Sequence, residues 1–228
     1  MRIGIDAHII LPKHKRYNPK IARFTEHLIT ELIDSDKKQE HTWVLFFDSR
    51  MKGSKRLSKF KRDNVVIKHF PFVHYRQYMP VLYSHMLVSG FLQTARLDVF
   101  HSPEGLIPFM YQGKVITTFH HVPKGEAESS LFSRTYMLGA RVAFAQLCRR
   151  AKRIIVFSRA DKKLLHERHG YPEDRIVVIE TPDIEQVDWG KRARELTKLY
   201  TDVTKKKPKK AKKTKKKPAR EKAKDKKK

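Results

Sequence analysis

The sequence contains a single cysteine, Cys148, in 228 residues. No intrachain disulfide can form, so the usage fits a reducing compartment, with Cys148 as a buried structural thiol. Long apolar runs are missing too. The longest, VLYSHMLVSGFL from Val81 to Leu92, is broken by Ser84, His85 and Ser89 and falls well short of the ~20 residues that span a bilayer. It reads as a helix of a globular domain, free to touch a membrane surface but not to cross one. The amino terminus, MRIGIDAHII, lacks the basic start, apolar middle and small-residue cleavage site of a secretory signal. A cytoplasmic location is expected, with peripheral attachment at the inner membrane face as a variant. No internal repeat occurs.

Acidic residues are scarce, at 24 against 51 Lys and Arg, for a net charge of +27. The imbalance has two parts. Residues 205 to 228, KKKPKKAKKTKKKPAREKAKDKKK, hold 15 Lys, 1 Arg and 2 acidic residues and nothing apolar larger than Ala and Pro. Such a segment has no means of building a core and is expected to be a disordered lysine-rich tail. It carries +14, which leaves +13 on residues 1 to 204. Surface potential of that sign concentrates phosphate-bearing partners without choosing among them. The tail has no aromatic residue to stack on bases, so it is expected to bind polyanions through counterion release without reading sequence. Nucleic acid and anionic membrane, the latter at about 1 kcal/mol per lysine near the surface, both stand as its partners. The plain alternative is a solubilising extension.

Ahead of the tail the chain is patterned. Short apolar, β-branched and aromatic runs recur at Ile3 to Ile10, Thr42 to Phe47, Val65 to Ile67, Leu97 to Phe100, Val115 to Phe119, Arg153 to Phe157 and Arg175 to Ile179. These are expected as buried strands. Helical patterns separate most of them, an alternation that builds a parallel sheet with helices on both faces. The first helix has one apolar stripe, Ile21, Phe24, Leu28, Ile29, Leu32 and Ile33, with Asn18 as its cap and Pro19 at its first position. Another starts at Ser158, in a capping-box variant with Asp161, and stops before Gly170, Tyr171 and Pro172. Further helices are expected over about 75 to 95 and 131 to 150. The last patterned segment, VDWGKRARELTKLYTDV, puts Trp189, Ala193, Leu196 and Tyr200 on one helical face that needs a surface to pack on.

Several pieces resemble one family in order. IGIDAHII resembles the I-G-I-D-A-R type first strand of family 4 glycosyltransferases, and IARFTEHLITEL the G-R-Y-T-x-x-L helix that follows it. LDVFHSPEGLIP is similar to the family's D-V-x-H-S-P strand end, VITTFHH to its T-x-H-D segment, and RRAKRIIVFSRADKKLL to its A-D-x-I-x-x-V-S strand and helix. YPEDRIVVIETPDIE resembles the approach to the N-G-V-D interdomain junction. The ordered series, covering roughly residues 1 to 185, is what is specific. Past that junction, family members carry a second Rossmann-like domain that binds the nucleotide sugar. Here VDWGKRARELTKLY instead resembles the tryptophan-led helix that ends full-length members.

The resemblance therefore implies an α/β fold, a single Rossmann-like parallel sheet with helices on both faces, which is half of a GT-B fold. Residues 1–185 would be the acceptor-side domain, 186–204 the crossover helix packed on it, and 205–228 the tail. On this reading the donor-binding domain would be left out.

Ligands of open parallel sheets sit beyond the carboxyl ends of the strands, so strand-end residues are the site candidates. His8, His101, His120 and His121 are among them. By resemblance His120 takes the family's active-site histidine position, while His121 replaces the neighbouring aspartate. Histidines at one edge suit zinc through neutral imidazoles, but the spacing matches no metal motif and strand-end histidines are ordinarily satisfied by local hydrogen bonds. No metal and no cofactor is expected. The loop KHKRYNPK, where the family has a glycine-rich turn, contains no glycine. Lys13, Lys15, Arg16 and Asn18 nevertheless precede a helix N-terminus that favours an anion, which makes a phosphate-bearing acceptor one reading and a solvated basic loop the other. Ser102 and Glu104 of the HSP turn, with His121, complete the expected substrate contacts. Lys124 and Glu126 in the next loop rank below His120.

Two functions follow. In one, the chain binds a sugar or lipid-linked acceptor, and a separate donor-domain protein supplies the nucleotide sugar as co-substrate for a hexosyl-type transfer. In the other, the fold persists without transfer and a basic module holds nucleic acid or anionic membrane through its tail.

Overall fold

The computed structural model describes residues 1–11, 18–71, 81–105, 108, 110–122, 148–180 and 184–205. The tail beyond residue 205 and the expected helical stretches 75–80 and 131–147 lie outside them.

Seven strands form one parallel sheet in the order β3-β2-β1-β4-β5-β6-β7. They are β1 (Arg2–Asp6), β2 (Thr42–Asp48), β3 (Val65–Phe70), β4 (Val99–Ser102), β5 (Val115–Phe119), β6 (Arg153–Val156) and β7 (Ile176–Val178). The first strand is shorter than its apolar run: the chain leaves the ladder after Asp6, and residues 7 to 11 turn across the sheet end, with Ile10 N–H on Ala7 O. Apolarity persists there because the turn itself is buried. The order starts in the middle, runs to one edge and returns to the other side of β1, so β1 and β4 flank a topological switch point.

Both faces of the sheet are apolar, as parallel sheets require. In β2, Trp43, Leu45 and Phe47 enter one core cluster, while Val44 and Phe46 enter the other. On the first face lie α1 (Pro19–Ser35) and α4 (Trp189–Thr204), on the second α2 (Val81–Thr94) and α3 (Arg159–His169). Local signals set the helix ends. Asn18 Oδ1 accepts the Lys20 and Ile21 N–H groups at the start of α1. Ser158 and Asp161 bond each other at the start of α3, and left-handed Gly170, φ +63°, ends it. Gly4 answers to packing: a Cβ there would meet Leu97 Cδ1 at 2.4 Å.

Helix α4 closes the first face. Ala193, Leu196 and Tyr200 are fully or almost fully buried, and the helix packs on α1 and reaches β4. Tyr200 Oη bonds His101 Nδ1 at 2.7 Å, Trp189 lies 5.4 Å from the Phe24 ring, and Lys114 Nζ donates to Thr204 O at 2.9 Å. The helix therefore runs from the carboxyl end of the sheet to its amino end.

Two substitutions test this docking. Leu196→Ala should destabilise the fold by about 2–5 kcal/mol through transfer loss and the cavity left behind. Tyr200→Phe should cost about 1–3 kcal/mol, because it strands a buried imidazole nitrogen. Urea midpoints measure both, with exposed Lys198→Ala expected within about 0.5 kcal/mol of wild type.

Candidate active site

The carboxyl ends of β1, β4 and β5 converge where the switch point predicts a crevice. After β1 the chain places Asp6 and His8, two residues apart, on the same side of the turn. The His8 N–H and its ring Nδ1 both meet Asp6 Oδ1, at 3.2 and 2.6 Å. On the other side of the ring, His8 Nε2 lies 2.9 Å from Glu104 Oε2, in the turn after β4. One imidazole therefore ties the two strands of the switch point together. Burial disfavours its charged form, but the two carboxylates prevail and hold its pKa up at about 10. His8 is an imidazolium at neutral pH, buried to 4 % exposure, while Glu104 keeps 22 %.

His120, just past β5, is the half-buried histidine of the crevice. Its Nε2 is 2.9 Å from the Pro103 carbonyl, which can only accept, so the proton is on Nε2 and Nδ1 carries the lone pair. Phe24 and Phe157 present edges to the ring at 5.1 and 4.9 Å. Burial lowers its pKa, with the Pro103 carbonyl opposing and His121 adding to the effect, so His120 is neutral at physiological pH. His120 and His8 thus pin the Pro103–Glu104 turn from two sides. Gly105 completes it at φ +84°, with Phe119 where a side chain would go.

The other candidates separate. His101 is a member of β4, fully buried, with Nδ1 on Tyr200 Oη and Nε2 on Thr118 Oγ1 at 2.9 Å. Burial and the field of His120 push its pKa down to about 3. It joins α4 to the sheet and does not face the crevice. Ser102 is also fully buried, its carbonyl accepting from Thr117 Oγ1. His121 is exposed beside His120. Asn18 is committed to its cap, and with Ala22 N–H on Asn18 O and Pro19 lacking a donor, the first turn of α1 has no free N–H. The dipole remains for an anion, but no open N–H donor does. Lys13, Lys15, Arg16, Lys124 and Glu126 lie outside the described residues.

Among the described residues no group of three or more His, Cys, Asp or Glu is placed to hold a metal ion, and no helix is long and apolar enough to cross a membrane. Cys148 is buried and its thiol is pushed up to about 12 by burial. A groove of about 670 Å³ between β7 and α4 is lined by four basic and four acidic side chains and by none of the strand-end histidines. Its balanced charge suits an anionic ligand poorly.

Residue reading missed three parts of the site: Asp6 as the anchor of His8, the His8–Glu104 bridge, and the Phe24 and Phe157 walls. Only the first had a signal, since strand-like spacing puts residues i and i+2 on one side.

A family model described as Glycosyltransferase Family 4 matches residues 21–182, and the chain belongs to that family. Among solved structures it is similar to sucrose-phosphate synthase from Thermosynechococcus elongatus, with TM-score 0.50 and 10% identity over 89% of this chain and 99% of that one. It is also similar to a glycosyltransferase from Rickettsia africae ESF-5, with TM-score 0.44 and 19% identity over 89% of this chain and 49% of that one. A third is Arabidopsis thaliana UGT89C1 complexed with UDP, with TM-score 0.47 and 12% identity over 83% and 51%. The chain spans about half the length of the last two. No curated protein matches it significantly. The fold is that of one half of a GT-B glycosyltransferase.

The two buried histidines give opposite pH dependences. Folded His8 titrates at about 10, above its ordinary 6.5, so its stabilisation is complete below pH 6.5 and lost as pH rises through about 10. Folded His101 titrates at about 3, so its contribution is complete above pH 6.5 and lost as pH falls toward 3. Stability measured by denaturant from pH 5 to 10 should decline at both ends. His8→Gln should flatten the alkaline decline; an unchanged alkaline limb in that variant would contradict a buried imidazolium.

Proposed function

We propose that this glycosyltransferase-family chain is the acceptor-side half of an enzyme that transfers a sugar from a nucleotide-sugar donor, with the donor-binding half supplied by a separate protein. The observation that carries the reading is His120: a neutral imidazole at the carboxyl end of β5, its proton committed to the Pro103 carbonyl and its other nitrogen left as an acceptor. Such a group can receive a hydrogen bond from a sugar hydroxyl and orient it, which is its assigned role. Glu104, held by the His8 imidazolium, supplies a fixed negative charge next to it, suited to a second hydroxyl of the acceptor. Phe24 and Phe157 exclude water from one side of the His120 ring. Lys13, Lys15 and Arg16, ahead of the α1 dipole, would favour a phosphate on the acceptor.

Among the described residues there is one sheet, and the groove beside β7 has no net charge for a nucleotide diphosphate. The reading therefore assigns the nucleotide sugar to a second half across the crevice.

Native pull-down of the full chain, with partners identified by mass spectrometry, should retain a protein bearing a donor-type Rossmann domain. Turnover of nucleotide sugars should require both chains, and His120→Ala should lower it about 10²–10⁴-fold without a comparable loss of stability. Turnover by this chain alone would overturn the split arrangement, and an active His120→Ala would overturn the assigned residue.

A further inference from the structure

The two ends of the sheet differ in chemistry. The carboxyl end holds the histidines and Glu104. At the amino end, the part under β4, β5 and β6 is lined by Arg96, Lys114, Arg149, Arg150, Lys152 and Arg153. Arg96 sits in the turn before β4, Lys114 immediately precedes β5, and Lys152 and Arg153 bracket the start of β6. Arg149 and Arg150 end the helical turn just before it. Pairing brings them side by side: Phe100 N–H bonds Lys114 O, and Lys152 N–H bonds Val115 O, in strands about 4.8 Å apart.

None of the six is paired with a carboxylate among the described residues. Arg150 donates to Tyr111 O at 2.7 Å, Arg153 to Lys152 O at 2.9 Å and Lys114 to Thr204 O at 2.9 Å, all neutral acceptors that leave the charge uncompensated. Arg96, Arg149, Arg150 and Lys152 are exposed. Of the carboxylates nearby, Asp202 pairs with Lys205 and Glu173 with Lys162, while Asp98 accepts only the neutral Arg2 N–H and Asp174 is exposed, so the six cations outnumber the carboxylates that face them.

The Lys114–Thr204 bond fixes the C-terminus of α4 at this same edge. The chain then continues from Lys205 into the lysine-rich segment. Patch and segment are thus contiguous by covalent connection. Helix α4, 16 residues long, separates this edge from the crevice by about 24 Å.

We propose that the amino-terminal edge of β4, β5 and β6 is a surface that binds the phosphate backbone of nucleic acid, at the end of the domain opposite the crevice. Two observations favour nucleic acid over a lipid surface. The exposed large apolar side chains are only Met86, Leu87 and Met110 among the described residues, and of these Met110 alone adjoins the basic edge, next to the Tyr111 carbonyl that Arg150 holds, one side chain and not an apolar anchor. Stable attachment to a membrane usually combines basic charge with a second, apolar anchor. Nucleic acid needs none, because its condensed counterions are released by lysine and arginine alone. Without aromatic side chains in the segment, binding is independent of base sequence. The inference does not depend on the proposed transfer reaction.

The test uses the full chain. Fluorescence anisotropy with a mixed-sequence 25-base-pair duplex across a salt series compares wild type with the triple variant Arg96→Ala, Arg149→Ala, Lys152→Ala. A control variant carries Lys52→Ala, Lys55→Ala and Lys61→Ala, three exposed lysines elsewhere on the fold. The edge variant should bind at least 10-fold more weakly near 0.1 M salt, and its slope of log K against log salt should shrink by about 2–3, as three lost phosphate contacts imply. The control should match wild type. Equal losses in both variants would mean that net charge alone matters, and no loss in either would mean that the lysine-rich segment acts without the folded domain; each overturns the proposal. So does preferential retention by vesicles of 70% phosphatidylcholine and 30% phosphatidylserine over the duplex. Unchanged melting of the edge variant separates lost binding from lost folding.

Discussion

The structure depends on the docking of α4 across the sheet face beside α1. A parallel sheet exposes two apolar faces, and on the first of them α4 packs beside α1 and reaches β4. Tyr200 and His101 show how specific the remaining closure is. His101 is a polar residue at the centre of a strand, fully buried beneath the helix, and an imidazole left there with an unmet nitrogen would oppose folding. Tyr200 meets that nitrogen from α4 while Thr118 meets the other from β5. The bond is between neutral groups, since burial holds His101 deprotonated and Tyr200 protonated. Register follows from it, because sliding α4 by one residue would turn Tyr200 away from its partner.

From that anchor, the same helix organises both ends of the domain. At its start Trp189 stacks on His27 and packs against Phe24, and Phe24 is one of the two rings that hold His120 in place. The orientation of the crevice histidine is therefore supported by a helix distant from it in sequence. At its end Thr204 receives Lys114 and meets Met1, which delivers the chain to the basic edge. Packing, site and charge are linked through one element.

Legibility in the sequence follows the range of the forces involved. Strand and helix types were readable because burial of both sheet faces writes continuous apolar runs, and because Asn18, Ser158 and Gly170 act on neighbours within a few residues. The stripe of Ala193, Leu196 and Tyr200 was readable for the same reason. His101 and His8 were not distinguishable from His120 by pattern. All three lie in or just after the carboxyl-terminal part of an apolar run, and their separation into a core bond, a charged bridge and a crevice acceptor depends on partners distant in sequence: Tyr200 and Thr118 for His101, Glu104 for His8 and Pro103 for His120. The end of β1 was misplaced because a buried turn and a buried strand share the same apolar composition. The anion site expected at the start of α1 keeps the dipole but lacks open N–H groups for a local reason, since the same Asn18 that marks the helix start also takes the donors.

The His8 bridge shows how a family position can change chemistry without losing its place. The opening resembles an I-G-I-D-A-R type strand, with His8 where that pattern carries an arginine. An arginine is charged at any physiological pH, whereas a histidine stays charged there only if its surroundings raise its pKa. Asp6 and Glu104 do so from opposite sides of the ring, against burial. Asp6 Oδ2 is buried with no hydrogen-bond partner among the described residues, so its charge is compensated through the other oxygen, on His8. Neutralising His8 would thus leave a buried carboxylate uncompensated and release Glu104 from the turn that His120 also holds. The three residues make sense as a unit: Asp6 fixes the charge of His8, and His8 fixes the position of Glu104 beside the crevice.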